Sequence, residues 1–581
     1  MTRDSIKHAR DSIIMATPRV LLTSAFPDTL SYRRILVWNS DSKVNNMTLI
    51  KNDSTFNDWY TENPVFKKDI DAVYLGMSGS AALSTNWFKR TEFSKFKGYE
   101  PWLYATYLPE TMPMYNVKST YTELAYWGTL FAFKDKEEAN VKILHTQNIT
   151  PALNLAFLWQ SYGGNGLLTN EETHNKTLAV TGNYLGKHYV ANMGFIHNNI
   201  YRDENGGVEN TWEVRDTVIE AKAVAVKMKK AHNAYSRNTF FLHHHYSLAF
   251  RDVKAFFQRR KEIRAAKAEL ELFLADSLAC AADSLGLRRD SLMIAAGLKE
   301  GGGPELDASS SDAAADTSAV TDDAEKLSRD DGSMITFGHI GEISRFYRLY
   351  TDEISSSEQA AREMYNNSFF INPTSSSDST RTFSLENRLF VRLQPFGRDA
   401  VVSKLDAGIG HEFVSHYAFR PGMYLSGNYN DKFNNVFLYG GASGKFKNYI
   451  SWNGDLRYDL MGYSPNDFEV NAAMKFSFFP FKETLDGVDV TARFHTSLKK
   501  PDYFSNFYYS NHYIWDNDFS KVSKMKLEGE LTVRKWMLSA FFGYGLTANH
   551  IYYDDFGYIR QHDAPVNVIT AGVTKNFILW K

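Results

Sequence analysis

The sequence has almost no cysteine, no long hydrophobic run and no excess of either charge. Cys280 is the single thiol in 581 residues, so no internal disulfide can staple the chain. A lone cysteine fits either a reducing compartment or an exported protein that avoids thiols. No stretch reaches the roughly 18 apolar residues of a helical membrane span. That removes helices as membrane spans but not strands, which need only about 9–11 residues each and carry a polar side chain at every second position. The 65 Lys and Arg nearly balance 67 Asp and Glu, so nothing draws the chain to nucleic acid or to an anionic surface. The first residues, MTRDSIKHARDSIIMATPRV, lack an apolar core of signal-peptide length, as expected of a cytoplasmic chain or of a mature or shortened one. Catalytic signatures are also missing. The glycine clusters at 163–166, 204–207 and 301–303 have no GxxxxGK[ST] context, and no nucleophile, base and orienting residue assemble from spacing. His243, His244 and His245 would alternate between two faces of a strand and so would not converge on a metal. No enzyme activity, cofactor or metal is expected.

What is abundant is aromatic. With 33 Tyr, 41 Phe and 11 Trp the chain is 15% aromatic, yet its mean hydropathy is below zero. Alternating strands that carry rings on one face and polar groups on the other reconcile the two, and a soluble Tyr-rich β protein is the plainer alternative. The stretch RTFSLENRLFVRLQP at 381–395 shows the alternation. Leu385, Leu389 and Val391 fall on one face, and Glu386, Arg388 and Arg392 on the other. The same split sets Asp455, Arg457 and Asp459 against Trp452, Asp489 and Arg493 against Phe494, and places Lys524, Lys526, Glu528 and Glu530 together. If hydrocarbon lies outside, every charge must point inward, because a basic residue facing lipid at mid-bilayer costs about 2–4 kcal/mol. These twelve charged residues are therefore the candidate lumen-facing set, and the lumen is expected to be polar and wet.

Sixteen candidate strands follow between 121 and 579, joined alternately by short turns, such as 148–151, 186–187, 395–400, 445–448 and 534–535, and by longer polar connections, such as 201–238, 349–381, 414–433, 499–521 and 549–565. Short joints at one end and long ones at the other are the arrangement of an outer-membrane barrel. An open soluble sheet of this size would expose pairing edges, which closure removes. The expected organisation is an irregular aromatic-rich leader at 1–119, barrel strands at 120–251, an insertion at 252–334 and the remaining strands at 335–581. The insertion carries a helical stripe, Leu270, Phe273, Leu274, Leu278 and Leu285, followed by an Ala, Ser, Asp and Gly-rich linker too poor in large apolar groups to fold alone.

Several segments resemble one family. YTELAYWGT at 121–129, ILHTQNITPALNLAF at 143–157, YRDENGGV at 201–208, SRNTFFLHHHYSLAF at 236–250, ITFGHIGEISRFYRLYTD at 335–352 and FSLENRLFVRLQPFG at 383–397 are similar to the putative porin family of Bacteroidetes-type outer-membrane β-barrels. The resemblance implies an outer-membrane location and a pore-like role, and supplies no catalytic residues. Family members usually begin with a signal peptide and continue past the region matching VNVITAGVTKNFILW, which implies a barrel of about eighteen strands in a full chain. The leading expectation is passive diffusion of small hydrophilic solutes across an outer membrane. Its rivals are a non-conducting barrel that docks a periplasmic protein through 252–334, and a soluble β protein that binds glycans through its aromatics.

Overall fold

The computed structural model describes residues 26, 30, 33–50, 63–69, 71–90, 94–129, 137–216, 219–285, 333–396, 400–419, 430–480 and 486–577. The chain divides into two compact units, one of Met1–Ser247, Thr336–Leu393 and Arg398–Lys581, the other of Leu248–Ile335 and Gln394–Gly397.

The first unit is built on a 16-stranded sheet in which every strand pairs with its neighbours in sequence. Its strands are β1 Tyr121–Gly128, β2 Ala139–Asn148, β3 Leu153–Gly164, β4 Thr173–Leu185, β5 Tyr189–Asp203, β6 Ala231–Ala249, β7 Met334–Glu353, β8 Ser375–Gln394, β9 Lys404–Ala418, β10 Asn430–Phe446, β11 Ile450–Met461, β12 Phe468–Phe478, β13 Val488–Lys499, β14 Val522–Val533, β15 Leu538–Ala548 and β16 Val566–Lys575. Among the described residues no ladder joins β1 to β16. The strands flanking 204–230 and 354–374 are longer than the periodicity suggests. The start of β8 reads SSSDSTRT, with no apolar face, yet Ser376, Thr380 and Thr382 are buried on its inner side.

The register carries one face round the sheet. Glu386 lies opposite Glu412, Glu412 opposite Asn435, Phe437 opposite Asp459, Arg457 opposite Glu469, Asn471 opposite His495, and Arg493 opposite Glu528. Paired residues share a face, so all of these point the same way.

The same face meets the N-terminal part of the chain. Trp38 Nε1 donates to Asn192 Oδ1 on β5 at 3.3 Å, and the rings of Trp102 and Tyr235 on β6 lie 5.6 Å apart. Lys95 Nζ donates to Ser384 Oγ on β8 at 2.9 Å, Lys43 Nζ pairs with Asp455 on β11 at 2.7 Å, and Phe88 packs edge-on against Phe541 on β15 at 5.7 Å. One short stretch of chain can reach the same face of strands so far apart in the sheet only if the sheet curls around it. The sheet is therefore a barrel, and the described residues between 34 and 117 sit within its curve.

That inner segment has its own small sheet, in which Ile35–Ser40 pairs with Met47–Leu49 and Met114–Val117. The turn after the first strand is fixed by Asp41, whose Oδ1 accepts from the amides of Lys43 at 3.0 Å and Val44 at 2.8 Å. Leu36, Trp38, Met112, Met114 and Val117 are buried with Leu144, Leu158, Ala179, Ile196 and Phe241 from β2 to β6.

In the second unit, α1 (Phe250–Leu285) is one continuous helix. Leu270, Phe273 and Leu274 from the expected apolar stripe are exposed on it. The side chains of Leu278 and Leu285, and the linker at 286–332, lie outside the described residues.

Candidate functional site

The barrel's inner face is chemically divided. On β2 to β6 its polar side chains are mostly neutral amides and hydroxyls, among them Asn154, Gln160, Thr181, Asn183, Asn192, Asn198 and Thr239, all buried, with Arg202 and Arg237 buried beside them. They serve the N-terminal segment. Asn183 Nδ2 donates to the carbonyl of Tyr115 at 2.8 Å, Asn198 Nδ2 to that of Tyr107 at 2.8 Å, and Gln160 Nε2 to that of Ala105 at 3.2 Å. Asn192 Nδ2 donates to Asn45 Oδ1 at 2.9 Å. Carbonyls of an irregular segment that would be costly to bury unpaired are thus satisfied by the wall. His243 and His245 join this side: His243 Nε2 is 2.9 Å from Glu342 Oε1, and His245 Nδ1 is 2.9 Å from Asn45 Nδ2.

From β8 onward the inner face is charged, and the twelve candidate residues all lie on it, in two groups. Glu386, Arg388 and Arg392 are covered. Glu386 and Arg388 pair with each other, and the guanidinium of Arg388 lies 5.4 Å from the ring centre of Phe437. Arg392 Nε meets Asp406 Oδ1 at 2.6 Å while its Nη2 donates to the carbonyl of Val44 at 3.4 Å. Lys95 of the inner segment reaches both Glu412 and Glu386. Asp459 is also buried, held by Arg457 at 2.8 Å. Asp489 is buried between Arg534, Lys475 and Ser477 near the short turns.

The second group stays open to water although it faces inward. The side chains of Arg493 and Lys475 keep 43% of their exposure, Arg457 34%, Glu530 32% and Asp455 31%. Arg493 bonds Glu530 at 2.7 Å and approaches Glu528 at 3.9 Å. Asp455 joins Lys43 and accepts from Asn471 Nδ2 at 3.0 Å, and Lys499 meets Glu469 at 2.7 Å. Lys524 and Lys526 lie over the ring of Trp87 at 5.4 and 5.1 Å.

Trp87 and Phe88 are seated where β15 has no side chains. A Cβ at Gly545 would come within 2.3 Å of the Trp87 ring, and one at Gly543 within 2.6 Å of Phe88. Between this contact and the Lys43–Asp455 pair, the inner faces of β11 to β14 form a water-exposed band with carboxylates and cations interleaved. On β2 to β6 the inner face also carries Leu144, Leu158, Ile196 and Phe241, buried against the N-terminal segment, whereas the charged side chains of β11 to β14 keep contact with water. Sequence reasoning missed the inner-face amides of β3 to β5, although LNLAFLWQSY and ANMGFIHNN carry them at period two.

On the opposite face Leu389, Val391 and Phe494 are exposed, and Leu385 and Trp452 are half-buried.

A family model described as "Putative porin" matches residues 34–581. No curated protein matches the sequence. Among solved structures, the siderophore receptor PirA from Acinetobacter baumannii is 9% identical with a TM-score of 0.42, over 78% of this chain and 59% of that one. A mutant of the ferric enterobactin receptor PfeA from Pseudomonas aeruginosa is 10% identical with a TM-score of 0.42, over 78% and 59%. The copper transporter OprC is 9% identical with a TM-score of 0.43, over 78% and 57%. The chain thus spans less than two thirds of the length of these barrels.

Proposed function

Because the chain belongs to the putative porin family of outer-membrane β-barrels, we propose that it passes small hydrophilic solutes by passive diffusion along the charged, water-exposed side of its lumen, beside the N-terminal segment. The observation that carries this reading is the exposure of Arg493, Lys475, Asp455 and Glu530 on an inner face. Charges of both signs on such a wall admit hydrated solutes and set their size and charge preference. The long connections at 204–230, 354–374 and 500–521 then face outside and the short turns at 149–152, 186–188 and 447–449 the periplasm. Single-channel recording from the purified full chain in planar bilayers tests the reading. Steady conductance is expected, and silence in bilayers that contain folded barrel overturns it.

A second reading, in which the barrel docks a periplasmic protein, draws on the exposed Leu270, Phe273 and Leu274 of α1. A silent barrel that retains a periplasmic protein through 252–334, and loses it when that insertion is removed, would favour it.

A further inference from the structure

Where the inner segment meets two of the long connections there is a cavity of about 240 Å³. Its walls come from three places in the chain: Leu83, Lys97, Glu100, Pro101 and Tyr104 of the N-terminal segment, Asp502 from 500–521, and Tyr553 from 549–565. The volume is below the roughly 300–1,000 Å³ of drug-sized sites, which limits an occupant to a small solute. Most of the lining is apolar, and the charged groups are of both signs.

Each charged group is already held in place. Lys97 Nζ donates to Tyr553 Oη at 3.0 Å and lies 5.1–5.5 Å from the ring centres of Tyr508, Trp515 and Tyr553, so its charge is compensated by aromatic faces. Glu100 Oε1 accepts from the amide of Ser94 at 2.7 Å. Asp502 Oδ1 caps the short helix Tyr503–Asn506, accepting from the amides of Phe504 at 3.0 Å and Ser505 at 3.2 Å.

From this arrangement we infer that the cavity is a recognition site for a small zwitterion with an apolar side chain, an amino acid or dipeptide, taken up at the end of the barrel that carries the long connections. The inference deepens the proposed diffusion role by giving one class of solute a site at the mouth. An anion would meet Glu100 and Asp502, and a simple cation would meet Lys97. A solute carrying both charges can set its ammonium toward the carboxylates and its carboxylate toward the lysine, with its side chain against Leu83, Pro101 and Tyr104. Burial holds the carboxyls of both Glu100 and Asp502 above their usual range, and an ammonium set beside them offsets that cost. Acidification protonates Glu100 as pH falls through its raised pKa and removes the partner of the ammonium, so affinity should fall at a pH where a free carboxyl would still be ionised.

Calorimetric titration of the full chain in detergent tests this with leucylglycine as the probe, and N-acetyl-leucylglycine and maltose as comparators. Saturable leucylglycine binding is expected, at least tenfold weaker for the acetylated probe and for Glu100→Gln, which keeps an acceptor for Ser94. Leu83→Trp, which fills the cavity from an exposed position, should abolish binding and leave conductance unchanged. Binding of maltose with equal affinity, indifference to Glu100→Gln, or no saturable leucylglycine binding by a barrel that conducts would each overturn the site. Leucylglycine binding by a barrel that conducts nothing would support the site and overturn the diffusion reading.

Discussion

Arg493 and Arg392 share a charge and a face of the sheet, but their surroundings assign them different work. Arg493 stands in water between Glu528 and Glu530, where its ion pairs are worth about 0–1 kcal/mol each. Its removal should leave stability nearly unchanged and shift the reversal potential toward cations, because a fixed lumenal charge sets the local counter-ion concentration. Arg493→Gln measured in a salt gradient at low ionic strength checks this, and the shift should shrink at 1 M salt, where the screening length is about 3 Å. Arg392 is 7% exposed, paired with Asp406 and bonded to the backbone of Val44. Arg392→Gln strands the half-buried carboxylate of Asp406, which costs about 1–3 kcal/mol. A lower urea midpoint with an unmoved reversal potential is the expected result, read from equilibrium unfolding in detergent and from the same bilayer recordings. A change of selectivity in Arg392→Gln would put the conducting path on the wrong side of the lumen.

At the scale of elements, what was legible in the sequence is what lipid dictates. Period-two alternation in 383–394, 450–460 and 488–498 locates β8, β11 and β13 because the outward face must be apolar, and the register then carries the inner charges together. Periodicity leaves the start of β8 and the far ends of β5 to β7 among the connections because their outer faces are largely polar, and such faces leave no alternation to detect. The leader at 1–119 could not be placed either. Its rings pack against wall residues such as Tyr235, Phe346 and Phe541, more than a hundred positions away, and separation of that kind has no local periodicity. One signal was present: apart from Arg202, the polar inner positions of β3 to β5 are Asn, Thr and Gln, where many of those on β11 to β14 are Asp, Glu, Lys and Arg. Neutral amides suit a buried protein interface, since they pair with backbone at no cost in buried charge. The insertion is the element most separable from the rest, forming its own compact unit between β6 and β7. Deleting 254–333 and joining the strands by a short turn should leave the barrel folded. Retained heat-modifiable migration on gels checks this, and its loss would make the insertion an integral part of the barrel.

For the molecule as a whole, the division of the lumen has an energetic and a functional side. Large apolar side chains fully buried against β2 to β6 contribute about 1.5–3 kcal/mol each, whereas exposed pairs such as Lys43–Asp455 contribute about 0–1 kcal/mol. The inner segment is therefore buried most extensively against β2 to β6, while along β11 to β14 it leaves charged side chains in water. A conducting path in such a barrel must be lateral, following β11 to β14, and it can be blocked from that side alone. In a Cys280→Ser background, Arg493→Cys should react with a bulky hydrophilic methanethiosulfonate added to the aqueous phase, and conductance should fall by more than half as it does. Thr181→Cys, buried on β4 beneath the segment, should neither react nor respond while the barrel is folded. Leu389→Cys, exposed on the outer face, should be shielded by lipid and equally silent. Block through position 181 with none through position 493 would mean that solutes pass on the side the segment fills, and that the segment must move to let them through.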